Sequence, residues 1–167
     1  MTVNYDITTP DEIDEISPYI HRHWYASRRI VVYDIFDISH DIINEWANLT
    51  VETIRAWDPQ YPYLAVHNVS RRGVATKYSA LPLSIINPAI THDARASLFT
   101  TSEEDARFRA RIAGLVSIQL SGYYVQVLTS MLLRHQPSRK LEVKIFTEKP
   151  AALSWLASVL DIPPDNI

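Results

Sequence analysis

Histidines and neighbouring carboxylates are where this chain could do chemistry. His67 stands near the end of an apolar run over 63–69, while Asp37, Gln119 and Thr147 fall near or just beyond the ends of three other extended runs. In an open α/β sheet, ligands collect at the carboxyl ends of parallel strands. The four residues could together hold an apolar or anionic ligand there. Alternatively, His67 could act with Asp37 in a small hydrolase or isomerase. The competing account is that these residues cap helices or satisfy buried backbone groups. His21 and His23 are two apart on an expected strand, which turns both imidazoles to one face, half of a metal site. His40, Asp34 and Asp37 are the candidates for further ligands, but a metal needs three or four that converge. A hydrogen-bonded or solvated pair is the simpler reading, and no metal or cofactor is expected. Arg107, Arg109, Arg111 and Arg134 could gather into an anion patch, or form a charged margin beside an apolar strand.

Composition removes other chemistries. The 167 residues contain no cysteine, which excludes disulfides, thiolate metal sites and a cysteine nucleophile. The three glycines, Gly73, Gly114 and Gly122, are too scattered for a phosphate-cradling loop, a dinucleotide fingerprint or a nucleophile elbow. Sixteen basic against nineteen acidic residues give a net charge of −3, where a general nucleic-acid binder would be markedly basic. Residues 112–133 are uncharged and long enough to span a bilayer. They also carry Ser117, Gln119, Ser121, Gln126, Thr129 and Ser130, so a buried strand followed by a buried helix is expected, and no membrane span. The first ten residues lack the layout of a secretion signal, and a cytoplasmic protein is expected.

The elements that must position these residues follow from periodicity. Residues 1–19 read as an arm with a short helix over 11–17, since Pro10 and the acids Asp11 and Glu12 suit a first helical turn. Two β-branched and aromatic runs, 20–25 and 30–38, predict a hairpin across Ala26-Ser27-Arg28-Arg29. Ser39 is placed to cap a helix over 40–57, where Ile42, Ile43, Trp46, Leu49, Ile54 and Trp57 recur at helical spacing. A strand over 63–69 follows. Helix starts are expected at Asn87-Pro88 and at Ser102, then a strand over 114–119 and a helix over 121–135. The run 141–146 alternates as a strand, and Thr147 is placed to cap a final helix over 150–160, with Leu153, Leu156 and Leu160 on one side. Residues 20–160 form one expected α/β domain and 161–167 a tail. The expected architecture is a mixed, mainly parallel sheet of four to five strands, with an N-terminal hairpin and packed helices.

The segment Val143-Lys144-Ile145-Phe146-Thr147-Glu148-Lys149-Pro150-Ala151-Ala152-Leu153-Ser154-Trp155-Leu156, with Arg111-Ile112-Ala113-Gly114-Leu115-Val116 before it, resembles the SpoIIAA-like branch of the STAS superfamily. The resemblance implies a domain similar to anti-sigma factor antagonists, bacterial and regulatory, acting through protein contacts. Signalling members of that superfamily carry an Asp-Ser-Ser-Gly-like segment phosphorylated on serine. The matching stretch here, 68–81, has no such sequence, and Thr76 and Ser79 are the hydroxyls that could take the position.

The uncharged run 78–91 carries Leu81, Leu83, Ile85, Ile86 and Ile90 and is broken by Pro82 and Pro88. Exposed, it is an interaction patch; covered, it is core. An isologous homodimer is the commonest cover for such a patch. The leading expectation is therefore a non-catalytic STAS-like interaction module, and the alternative is a small-ligand-binding protein. A pocket converging on His67 and Asp37 would favour the ligand or the enzyme.

Overall fold

The computed structural model describes residues 5–37, 39–70, 109–117 and 141–160. Six strands are described: β1 (Glu12–Ser17), β2 (Ile20–Tyr25), β3 (Ile30–Ile35), β4 (Tyr63–Asn68), β5 (Ala110–Leu115) and β6 (Leu141–Phe146). Two helices join them, α1 (His40–Arg55) after β3 and α2 (Lys149–Ala157) after β6. One sheet holds all six strands in chain order. Pairing is antiparallel through β1, β2 and β3, and parallel from β3 to β6.

The mixed sheet and its N-terminal hairpin are as expected, but the sheet is wider than four to five strands. The extra strand is β1, where a short helix is expected over 11–17. Local helix chemistry loses there to tertiary pairing, because propensity is a weak prior. Asp14 accepts hydrogen bonds from Arg22 Nε (2.9 Å) and Trp24 Nε1 (3.1 Å) on β2, which holds the segment extended.

β3 and β4 read as near-continuous apolar runs because both faces of the sheet are covered. Val31, Tyr33 and Ile35 meet Ile42, Leu49 and Ile54 of α1 on one face. Val32, Leu64, Val66 and Leu115 meet Ala152, Leu153 and Leu156 of α2 on the other. Two register rows cross the sheet. Asp14, Arg22, Tyr33, His67, Gly114 and Ile145 form one, and Glu15, His21, Asp34, Asn68, Leu115 and Phe146 the next. The first row lies on the α1 face, and the second on the α2 face.

Several details depart from expectation. β5 occupies Ala110–Leu115 rather than 114–119, since pairing with Tyr63–Asn68 sets its register. Ser39 stands at the N-cap of α1 without a side-chain capping bond; its carbonyl accepts from Ile43 N at 3.0 Å. Glu148, not Thr147, is the N-cap of α2, again without a side-chain bond. Leu153, Leu156 and Leu160 are buried as expected, while Trp155 is only half-buried, against Phe146 with ring centroids 5.6 Å apart.

Candidate ligand-binding site

The turn from β2 to β3 is conformationally unusual. Ala26, Ser27 and Arg28 have φ of 55°, 56° and 63°, three consecutive non-glycine residues in the left-handed region. Each such residue costs roughly 1–2 kcal/mol. The turn is closed by Arg29 N donating to Tyr25 O (3.1 Å) and clasped by the Asp11 carboxylate, which accepts from Ser27 N at 2.7 Å. Strain of this kind persists only where the surroundings over-determine it, and it concentrates at functional sites. Here it presents Arg28 and Arg29 side by side.

Both arginines line a cleft of about 440 Å3 at the amino ends of β3 and β4, roofed by the C-terminal turns of α1. Arg22, Trp24 and Thr53 form its inner wall, and Glu52, Ala56, Trp57, Asp58 and Tyr61 complete it. Its volume is in the range of ordinary small-ligand sites, about 300–1,000 Å3. The guanidinium groups lie on aromatic rings: Arg29 is 3.4 Å from the Tyr61 centroid, Arg28 is 4.6 Å from Trp24, and Arg22 is 5.1 Å from the same indole. Trp24 and Trp57 stack, with centroids 6.1 Å apart.

The three cations differ in how they are used. Arg22 is spent structurally, on Asp14 (2.9 Å) and on the Thr53 hydroxyl (3.3 Å). Burial pushes the Asp14 carboxyl up, but its bonds from Trp24 and Arg22 outweigh this and hold it below the usual carboxylate range. Arg28 reaches Glu12 at 3.4 Å, an exposed pair worth little. Among the described residues Arg29 has no ion pair, and its Nε is shut off from solvent with no hydrogen-bond partner. Stacked guanidinium groups keep their N–H edges free to grip an anion.

At the carboxyl ends of the strands, on the α2 face, lies a second polar cluster. Asp34 accepts from Asn68 Nδ2 at 2.6 Å, and His23 Nε2 and Lys149 Nζ stand 3.4 and 3.8 Å from its carboxylate. Burial lowers the His23 pKa, with Asp34 opposing and Lys149 and His21 reinforcing that shift. His21 and His23 do share a face, with centroids 6.5 Å apart, and His21 meets Phe36 edge-on. Among the described residues no three His, Asp or Glu side chains converge as a metal site would require.

His67 lies on the other face, its ring against Tyr33 (5.2 Å) and Trp46 (5.0 Å). Among the described residues neither ring nitrogen has a hydrogen-bond partner, so it forms no dyad with Asp37, and burial lowers its pKa to about 4. Asp37 lies just past β3, and Thr147 is exposed just past β6. Arg111 pairs with Glu142 at 2.9 Å and lies 5.3 Å from the Trp155 ring. Gln119, Arg107, Arg134, Thr76, Ser79, and the patch of Leu81, Leu83, Ile85, Ile86 and Ile90 lie outside the described residues. No helix among the described residues is long and apolar enough to cross a membrane.

Sequence reasoning missed the cleft. The one local signal was a hairpin turn carrying two adjacent arginines and no glycine, a poor sequence for a tight turn. Compared with known proteins, the chain matches no family model, no curated protein and no solved structure.

Proposed function

We propose that this is a non-catalytic binding protein whose ligand is a small organic anion held in the cleft between the β2–β3 turn and the end of α1. One observation carries the reading: a strained, glycine-free turn delivers Arg28 and Arg29 to a concave surface walled by Trp24, Trp57 and Tyr61. Apolar walls with a few convergent polar groups are the usual form of a ligand site. Binding is the simpler use of a lining dominated by arginines and aromatic rings, which grip and stack on a ligand. Of the two hydroxyls in the lining, on Thr53 and Tyr61, that of Thr53 is already engaged with Leu49 O at 2.8 Å and with Arg22. The resemblance of 111–116 and 143–156 to the STAS superfamily also implies binding rather than catalysis, and kinship with it is part of this proposal.

The test is a titration of small carboxylates and phosphate monoesters, followed by tryptophan fluorescence. A saturable change in the wild type that is lost in Arg28→Ala/Arg29→Ala supports the reading. An equal response in that variant, or no saturable response to any of them, overturns it.

A further inference from the structure

We infer that the cleft's ligand is nucleotide-like: a flat nitrogen heterocycle with N–H donors on one edge and an anionic group at its other end. This rests on the ligand-binding reading above and assigns the occupant. The first support is the platform. Arg29 lies 3.4 Å from the Tyr61 ring centroid, so one face of its guanidinium is covered by that ring. Arg29 also lines the cleft, and a guanidinium is a charged plane of the kind on which heteroaromatic bases stack.

The second support is the charge pattern. A site for a simple anion has no use for carboxylates, which would repel it, yet Glu52 and Asp58 share the lining with the arginines. A base edge bearing adjacent amide and amino N–H groups donates two parallel bonds to a carboxylate. Its phosphate would then be gripped by the N–H edges of Arg28 and Arg29. One ligand class therefore accounts for both signs of charge. The chain's net charge of −3 favours a free nucleotide over a strand of nucleic acid.

Calorimetric titration of guanosine monophosphate, guanosine and inorganic phosphate tests this directly. The protein is used as wild type, as Arg29→Lys and as Glu52→Gln/Asp58→Asn. The wild type should bind the monophosphate at least about tenfold more tightly than either fragment. Arg29→Lys keeps the charge and removes the plane, so it should lose about tenfold for the monophosphate while phosphate binding is retained. The carboxylate variant should weaken the monophosphate and leave phosphate unchanged or tighter. Tyr61→Ala, at an exposed position, repeats the platform test should Arg29→Lys fail to fold. Inorganic phosphate or simple carboxylates binding as tightly as the monophosphate would overturn the nucleotide assignment and leave the small-anion reading standing. Silence from all of them would remove both. A single-stranded oligonucleotide that binds more tightly than the monophosphate would also overturn the assignment to a free nucleotide.

Discussion

Acid should destabilise this fold through one residue above others. His67 is buried on β4 against Tyr33 and Trp46, with both ring nitrogens unpartnered among the described residues and its pKa lowered to about 4 by burial. An unfolded chain binds the proton near 6.5, whereas the folded chain refuses it until about pH 4. The neutral ring therefore contributes its stability fully above pH 6.5, and that stability is lost as pH falls from 6.5 toward 4. The loss across that window is about 3 kcal/mol, a large share of the marginal stability of a domain. His23, whose pKa burial also lowers, adds a loss of the same sign. His67→Leu isolates the effect, because it removes only the first contribution. The variant should be at least as stable as the wild type at pH 7, since two unsatisfied buried nitrogens disappear. Urea unfolding at closely spaced pH values, read by tryptophan fluorescence, gives both curves. They should diverge by about 3 kcal/mol in favour of the variant between pH 6.5 and 4. Parallel curves would show that His67 is protonated in the folded state and that its burial has been misjudged.

Two packing predictions follow from α2 and β5. Leu156→Ala, at a fully buried position, should cost about 3–5 kcal/mol, whereas Trp155→Ala should cost less, because that ring is half-buried; the reverse order in urea unfolding would mean that the helix is rotated. At Gly114 an added Cβ would lie 2.7 Å from Ile145 Cδ1, the far end of a side chain. Gly114→Ala should cost about 1–2 kcal/mol, and most of that should vanish in an Ile145→Val background. An undiminished cost in the double variant would place the clash in the backbone instead.

Much of the sheet was legible in the sequence, and the reasons are local. Continuous apolar runs mark β3 and β4, alternation marks β6, and helical spacing marks α1 and α2; β6 matches to the residue, whereas the expected β3 and α2 each run three residues too far. β1 was illegible because Pro10 and its following acids describe a helix start, while the partners that keep it extended, Arg22 and Trp24, lie eight to twelve residues on. The candidate site was illegible for the same reason on a larger scale. Its lining comes from β2, a turn, the last turn of α1 and the loop before β4, and no one of these segments signals a cleft. His67 was placed correctly at the end of a strand, but its neighbours across the sheet, Tyr33 and Gly114, are matters of register, which periodicity does not give.

Ligand binding between Trp24 and the end of α1 can be tested in one spectrum through the chain's four tryptophans. Trp24 and Trp57 line the cleft, while Trp46 packs against His67 and Trp155 lies on α2 beside Phe146. The four indole N–H resonances of labelled protein, assigned through single Trp→Phe variants, should be followed while guanosine monophosphate is added. Saturable shifts of the Trp24 and Trp57 signals are expected, with Trp46 and Trp155 unmoved. Shifts confined to Trp46 or Trp155, or four signals that stay in place throughout the titration, would contradict binding in the cleft.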